Sequence, residues 1–370
     1  NNGCNNGGIQ IAPNANGSSV RGSGKTQDSL NLYEWLLLSQ RISTAHSPNI
    51  GDYKTNAPKP NGGKWSNKSS WRKFDGNNWV AASTAPGASA GIITISNNDS
   101  IDIDVAVTAN QLVVETNGSV NIQTAGLTIS DGPGTDFLVN GIMYLGNLQT
   151  IGGTGNSEIN GTFNWNGGTL SLTATANAGS VVNLDGNFTK TIGANFNNKG
   201  TFNWVTGNTS GDIALSNSVF TNDGFINETF SSNRGFVNNG GAVAIVNNGT
   251  FKKMSSNSFL NNGISFTNTG TLQGIGSFNF TPGTIVNNGI VKPGNSPGIL
   301  FISEGAITGQ NSSISIEIFD GSGPGSGHNQ LDLTGNISLS GNRLIVTENA
   351  GVPVQSYVIM TTTGTFTGTF

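Results

Sequence analysis

The sequence contains few of the residues that carry most protein chemistry. Its 370 residues include one cysteine, two histidines and three methionines, and 10% of them are charged, against about 25% in an average soluble protein. The single thiol, Cys4, cannot form an intrachain disulfide, and it offers no metal-ligand spacing. The net charge of −4 comes without a basic cluster, so nucleic acid and anionic membranes are not expected as partners.

Long apolar runs are also missing. The longest apolar cluster, LYEWLLL at 32–38, contains Glu34 and is far shorter than the roughly 18 residues that cross a bilayer, so we expect no membrane span. The first residues, NNGCNNGGIQIAP, lack the charged start and apolar core of a signal peptide. Because secreted proteins lose their signal on processing, we expect this chain to begin inside a longer precursor.

What the sequence has in abundance is a repeated Asn-x-Gly phrase between 195 and 289. The glycines that close the phrase are separated by 24, 25, 21 and 19 residues, and they are Gly200, Gly224, Gly249, Gly270 and Gly289. A second series, with Gly240 and Gly263, lies between them. Repetition at about 20–25 residues is typical of a solenoid, in which each unit buries its apolar face only by stacking on its neighbours.

Apolar and polar residues alternate within each unit, which is the spacing of a β-strand rather than a helix. Phe202 with Trp204 and Phe278 with Phe280 are examples. We therefore predict an all-β fold, a right-handed parallel β-helix (β-solenoid). The Asn-x-Gly turns are expected to place Asn and Gly in left-handed or tight conformations, and stacking is expected to align the asparagines in a hydrogen-bonded ladder.

Four segments follow from changes in composition. Residues 1–50 are predicted to be an N-terminal loop and a capping helix at 29–45, an early strand being the alternative for that stretch. Residues 51–90 are a Trp-rich segment, and 91–294 are the β-helix repeats. After the PGNSPG turn, 295–370 is predicted to form a C-terminal β cap, either as widened final coils or as a small β-sandwich-like unit.

Candidate catalytic groups are scattered. Asp102 and Asp104 alternate with Ile101, Ile103 and Val105, so we expect the three apolar residues to face inward and the two acids to face outward, as solvated residues or as an acid pair.

The remaining candidates are a lysine pair, two histidines and a glycine-rich loop. Lys252 and Lys253 have no acid nearby in sequence, and His46 and His328 are expected at the surface. The GSGPGSG stretch at 321–327 lacks the lysine of a phosphate loop. We predict no catalytic residues and no cofactor-binding residues, hence no enzyme.

The one candidate ion is calcium. Asp320, Asp332 and the oxygen-rich loop at 321–330 would offer it hard ligands, although no repeated calcium-binding motif is present. Apart from calcium, we expect no cofactor.

Two stretches resemble a known group of proteins. GKWSNKSSWRKFDGNNWVAASTAP, followed by IITISNNDSIDIDVAVTANQLVVETNGSVNI, resembles the opening of large secreted or surface proteins of Bacteroidetes-type bacteria exported by the type IX pathway. In that family a Trp-rich segment leads into a parallel β-helix. The tail, with its PGNSPG turn and HNQLDLTG strand, resembles the closing segment of adhesin and autotransporter-type β-helices. The resemblance covers 51–370 and carries no catalytic motif.

The resemblance implies an extracellular or outer cell-surface protein. In that lineage, Asp-Ser-Leu at 28–30 and Asp-Ser-Ile at 99–101 would be O-glycosylation signals, with Ser29 and Ser100 as acceptors. The sorting domain of type IX cargo is not in this chain, so contact with the secretion machinery would need a segment absent here.

We expect a non-enzymatic adhesin or stalk module that binds a cell-surface or extracellular glycan or protein. The alternative is a carbohydrate-active or carbohydrate-binding β-helix, with Trp79, Trp165 or Trp204 stacking on sugar. Because Trp165 and Trp204 alternate with Phe163 and Phe202, both are expected to point inward.

Overall fold

The computed structural model describes residues 47–204, 211–280, 284–303 and 312–370. The chain divides into two compact units, 1–49 and 50–370, and the description below concerns the second. This unit is nearly all β-strand and forms a parallel β-solenoid of about nine turns, as predicted. The predicted capping helix at 29–45 lies outside the described residues, and the right-handed sense of the coil stays a prediction.

Within the described ranges, short strands follow one another with little else between them, and the one helical element there is a 3₁₀ helix, Lys68–Ser70. In chain order the first nineteen strands are β1 (Tyr53–Thr55), β2 (Gly63–Lys64), β3 (Trp71–Phe74), β4 (Trp79–Ala81), β5 (Ile92–Ile95), β6 (Ser100–Asp102), β7 (Val107–Ala109), β8 (Gln111–Val114), β9 (Ser119–Ile122), β10 (Leu127–Ile129), β11 (Phe137–Val139), β12 (Ile142–Leu145), β13 (Thr150–Ile159), β14 (Thr162–Trp165), β15 (Gly168–Ala176), β16 (Val181–Leu184), β17 (Lys190–Ile192), β18 (Phe196–Asn198) and β19 (Thr201–Trp204). The remainder are β20 (Ile213–Leu215), β21 (Val219–Asn222), β22 (Phe225–Glu228), β23 (Arg234–Asn238), β24 (Ala244–Asn247), β25 (Thr250–Lys253), β26 (Ser258–Asn262), β27 (Ser265–Asn268), β28 (Thr271–Gly274), β29 (Gly276–Asn279), β30 (Thr284–Asn287), β31 (Ile290–Pro293), β32 (Ile299–Ser303), β33 (Ser313–Ile318), β34 (Gln330–Leu333), β35 (Ile337–Ser338), β36 (Arg343–Glu348), β37 (Met360–Thr362) and β38 (Phe366–Thr367).

The turns have three faces. Face 1 is a 13-stranded parallel sheet made of β2, β6, β9, β12, β14, β16, β19, β22, β25, β28, β31, β33 and β36. Faces 2 and 3 belong to one 23-stranded sheet, because the long strands β13 and β15 run across both. Face 2 contains β7, β10, β17, β20 and β23, and face 3 contains β5, β8, β11, β18, β21 and β24. The turn formed by β19, β20 and β21 is typical: each strand pairs in parallel with the strand of the next turn on its own face.

The strand register explains the repeat spacing seen in the sequence. On face 1, the residues aligned directly after the closing glycines are Thr201, Phe225, Thr250, Thr271 and Ile290. One repeat is therefore one turn, and turns of unequal length are accommodated without moving the strands out of alignment. The extra residues of the longer turns lie in the connections between faces.

Alternate side chains fill the interior of the solenoid. Phe163, Trp165, Phe202 and Trp204 have no exposed surface, so the prediction that both tryptophans point inward is confirmed. Aromatic rings stack between turns: Phe196 and Phe220 have ring centroids 5.8 Å apart and nearly parallel planes, with an angle of 2°. Burial of such rings supplies much of the stability, since each buries a large apolar area.

The closing glycines are needed for space rather than for an unusual backbone angle. A Cβ atom on Gly249 would lie 2.0 Å from the Gly224 carbonyl oxygen of the turn before, and one on Gly270 would lie 2.0 Å from Gly249 O. Neither glycine has a positive φ, so of the two expected conformations, left-handed or tight, the left-handed one does not apply to them. It does occur in the second series, at Gly240 with φ 109° and Gly263 with φ 75°.

The predicted asparagine ladder is present and buried. Its members are the first residues of the Asn-x-Gly phrases, Asn198, Asn222, Asn247, Asn268 and Asn287. Each of the first four donates its side-chain Nδ2 to the Oδ1 of the next member, at 2.8, 2.6, 2.6 and 2.6 Å. All are at most 1% exposed. The ladder thus ties consecutive turns together where face 3 ends.

The Trp-rich segment covers the first turns with antiparallel strands. β3 pairs antiparallel with both β1 and β4, while β1 joins face 3 in parallel through β5. Trp65 and Trp71 are each 1% exposed and meet edge to face at 4.8 Å. Their indole nitrogens donate to backbone carbonyls, Trp65 to Pro86 and Trp71 to Trp65, which satisfies the polar atom of each buried ring.

After the PGNSPG turn the parallel stacking continues. β32 pairs with β29 and β34, and β33 pairs with β31 and β36. Both sheets therefore continue past this turn, and the C-terminal cap at 295–370 stays a prediction. Burial decreases along the last turn, where Val346 is 43% exposed.

Candidate functional site

The two acids singled out in the sequence bind different parts of the chain. Asp102 Oδ1 accepts from Asn121 Nδ2 of the next turn at 2.7 Å, whereas Asp104 accepts from Ser66 N at 2.9 Å and Ser66 Oγ at 2.6 Å. Desolvation acts to raise the pKa of Asp104, but the bonds from Ser66, with the charge of Lys64, together outweigh it and hold the pKa below the usual value. Ile101 and Ile103 point inward as expected, but Val105 is 44% exposed, so its predicted inward position is wrong.

The tryptophans do not form an open sugar platform. Trp165 and Trp204 are buried, and Trp79 is half-buried. The ring of Trp79 packs against Phe74 with centroids 5.3 Å apart, and Lys54 Nζ lies 4.6 Å from its centroid. A sugar stacking on Trp79 would have to compete with that ammonium group, since cations are attracted to the same ring face.

The two carboxylates proposed as calcium ligands do not share a partner, and His328 is not at the surface. Asp320 accepts from the backbone N–H of Ser322, and Asp332 accepts from Thr361 Oγ1 at 2.7 Å, so the two carboxylates have separate partners. His328 is 3% exposed, and its ring meets Tyr357 edge to face. The prediction of a surface histidine is therefore wrong. His46 lies outside the described residues.

Within the described ranges no three His, Cys, Asp or Glu side chains are grouped as metal ligands. Calcium binding stays a prediction.

Of the two predicted glycosylation acceptors, Ser29 lies outside the described residues. Ser100 is half-buried on β6, and its Oγ lies 2.9 Å from Ser119 Oγ and accepts from Asn121 Nδ2 at 3.3 Å. Modification at Ser100 would have to displace these bonds.

Sequence reasoning missed a cluster inside the solenoid. Glu228 and Lys253 occupy equivalent positions on β22 and β25, point into the core and have no exposed surface. Lys253 Nζ lies 3.5 Å from Glu228 Oε2 and donates to Ser255 O at 2.6 Å and Ser255 Oγ at 3.0 Å. Ser255 Oγ donates to Glu228 Oε1 at 2.7 Å, which closes a three-residue network.

Burial controls the ionisation of this pair. It raises the pKa of the Glu228 carboxyl, and the attraction of Lys253 opposes the rise only in part. It lowers the pKa of Lys253, with Glu228 acting in the opposite direction. Both shifts favour the neutral forms, because a charge removed from water loses its hydration.

A signal for this pair was available in the sequence. Trp204, Glu228 and Lys253 each lie four residues after a closing glycine, as does Gly274. Residues at equal distance from the repeated glycine lie in one column of the solenoid, so the acid and the lysine become neighbours although 25 residues separate them. Reading the repeats in alignment would have placed Glu228 beside Lys253.

Lys190 is a second buried lysine, with a different environment. Its Nζ donates to the backbone carbonyls of Asp185, Gly186 and Phe188 at 2.6, 3.1 and 3.0 Å. Burial lowers the pKa of Lys190 to about 8, the Asp185 charge acting to raise it and Arg234 to lower it. These three bonds connect the Lys190 side chain to the backbone of the 185–188 loop.

The outward surface of face 1 carries a column of amide side chains. Asn183 Nδ2 donates to Asn164 Oδ1 at 3.0 Å, and Asn203 Nδ2 donates to Asn183 Oδ1 at 3.1 Å. Asn227 and Lys252 extend the column on the next two turns. Parallel in-register stacking therefore gives this face a polar group at every strand spacing of about 4.8 Å.

A scan of protein families, a search of curated proteins and a search of solved structures found no match to this chain. Among the described residues, no helix has the length and hydropathy to cross a membrane.

Proposed function

We propose that this chain is a non-enzymatic stalk or adhesin module of a secreted or cell-surface protein. The observation that carries the proposal is the unbroken stack of three-faced turns, joined by parallel sheets and by the buried asparagine ladder. Such a stack is a rigid spacer, because each turn is fixed to the next by backbone and side-chain hydrogen bonds. Its outer surfaces suit attachment to an extracellular glycan or protein.

The distribution of polar side chains supports the same function. Outward amides form a column on face 1, from Asn164 through Asn183 and Asn203 to Asn227, where several hydrogen-bonding groups can engage one extended partner. Asp102 and Asp104, in contrast, are each bound to a separate neighbour. Acid–base hydrolysis of a polysaccharide needs two carboxyl groups placed on either side of one glycosidic bond. The arrangement of these acids therefore favours binding over cleavage.

A retention assay tests the proposal. Beads coated with the full chain are washed over bacterial cells and over immobilised acidic and neutral polysaccharides, while the liquid is assayed for new reducing ends. We expect retention on at least one surface and no reducing ends. Release of reducing ends that is abolished in a D102N/D104N double variant would contradict the proposal and favour a carbohydrate-active enzyme.

A further inference from the structure

Among the residues that the structure describes, one pair of oppositely charged side chains lies in the interior of face 1. Its core positions are otherwise apolar around this point, with Trp204 on the turn before and Gly274 on the turn after. Glu228 and Lys253 are placed side by side within this column, both with no exposed surface. Glu228 Oε2 accepts no hydrogen bond and has only the ammonium group 3.5 Å away as a partner.

The surroundings of the pair exclude water and leave little room. Phe230 lies on one side, with its ring 5.8 Å from Lys253 Nζ and 5.4 Å from the Trp204 ring. On the next turn, a Cβ atom on Gly276 would lie 2.8 Å from Lys253 Nζ and 2.6 Å from the backbone oxygen of Ser255, and it is this backbone contact that requires glycine there. The carboxyl group is fixed in turn by the Phe230 backbone N–H, which donates to Oε1 at 2.8 Å.

We propose that Lys253 and Glu228 become joined by an intramolecular amide bond between Nζ and the Glu228 carboxyl carbon. This bond would cross-link two consecutive turns inside the core. It is a modification independent of the stalk or adhesin function proposed above.

The reaction is a condensation that balances without an oxidant or a co-reactant. Transfer of a proton from the ammonium to the carboxylate gives an amine and a carboxylic acid. The Nζ lone pair attacks the carboxyl carbon, the C–N bond forms, the C–OH bond breaks, and the hydroxyl leaves as water with a proton lost from Nζ. Ser255 Oγ, which accepts from Lys253 and donates to Glu228, is placed to relay that proton.

Three physical effects favour the step. A dry site disfavours the charged pair relative to the neutral amine and acid, in line with the raised pKa of Glu228 and the lowered pKa of Lys253. Groups held in contact also react with effective molarities of about 10⁵ M or more when well oriented. Expulsion of the product water from an apolar core favours the amide further.

A second ion pair in the same solenoid serves as an internal control. Lys292 Nζ lies 2.8 Å from Glu317 Oε1, closer than the buried pair, but the two side chains are 31% and 22% exposed. Partial desolvation acts to raise the pKa of Glu317, but bonds from Lys292 and Ser296 outweigh it and keep the pKa below its usual value. This carboxyl stays ionised in water, so no amide is expected there. Burial, rather than distance, distinguishes the two pairs.

Intact-mass spectrometry of the full chain, incubated until its mass is constant, tests the proposal. We expect a mass lower than the sequence mass by one water, and a protease digest with one branched peptide that contains Glu228 and Lys253. A K292M variant should still lack one water, whereas a K253M variant should have its full mass. Succinimide formation at an Asn-Gly step removes ammonia instead. At an Asp-Gly step, such as Asp223-Gly224, it removes one water but gives no branched peptide, so the digest distinguishes it.

Two results would overturn the proposal. One is a wild-type chain at its full sequence mass, which leaves Glu228 and Lys253 as an ion pair. The other is a K253M variant that still lacks one water, which places the bond elsewhere. The wild-type mass together with the branched peptide in the wild-type digest decides the matter even where K253M fails to fold.

Discussion

Replacing Asn247 with alanine tests the buried ladder directly. The change removes two bonds of 2.6 Å, one accepted from Asn222 and one donated to Asn268, together with two longer contacts from its Nδ2 to the backbone oxygens of Gly249 and Thr271. The Asn268 Oδ1 then has no donor in a site without water, while Asn222 Nδ2 keeps only its longer contacts to Gly224 O and Thr250 O. Two net hydrogen bonds of about 1 kcal/mol each and one unsatisfied buried oxygen together cost about 3 kcal/mol.

The adjacent residue supplies the control. Asn248 belongs to the same Asn-Asn-Gly phrase but is exposed, where it donates to Asp223 Oδ1 and accepts from Thr269 Oγ1. Water replaces these partners, so N248A should change the free energy of unfolding by less than about 0.5 kcal/mol. Urea titration followed by tryptophan fluorescence measures both variants. An N248A cost equal to or larger than that of N247A would refute the reasoning.

Two further predictions concern backbone spacing and charge. G249A should destabilise the fold by about 3 kcal/mol, because the new methyl group meets the Gly224 carbonyl, whereas G87A, with open space around it, should be nearly neutral in the same urea titration. For Lys190, the folded pKa of about 8 lies below the ordinary 10.5, so the unfolded chain binds more protons between these values. The free energy of unfolding of the wild type relative to K190M should thus rise from about pH 8 to 10.5; a flat or falling difference would contradict a desolvated lysine.

The sequence was sufficient to predict the solenoid and its ladder because both depend on local, repeated signals. Period-two alternation places Phe202 and Trp204 inside, and the Asn-x-Gly phrase recurs once per turn. The reason for the closing glycines was not predictable in the same way. Their constraint is the carbonyl of the preceding turn, as at Gly249, and this contact appears only when the turns are stacked.

The positions that were predicted incorrectly depend on contacts between distant segments. His328 appeared isolated in sequence, yet Tyr357 packs against its ring and Val358 O lies 3.1 Å from its Nε2. Lys253 appeared to lack an acid because its partner lies a full turn away. In the sequence, the apolar–polar alternation continues to Val105. In the structure, the inward-facing positions end at Ile103, because the chain after β6 is a connection between faces.

The most direct test of the solenoid register is disulfide formation between outward positions of face 1, in a chain with Cys4 replaced by serine. Asn203 aligns with Asn227 on the next turn and, through it, with Lys252 two turns away. Strand spacing puts the Cα atoms of these pairs about 4.8 and about 9.6 Å apart, and a disulfide spans about 4.4–6.8 Å. The N203C/N227C variant should therefore close under mild oxidation, and N203C/K252C should stay reduced. Closure of N203C/K252C in place of N203C/N227C would contradict the register on which the fold and the proposed functions depend.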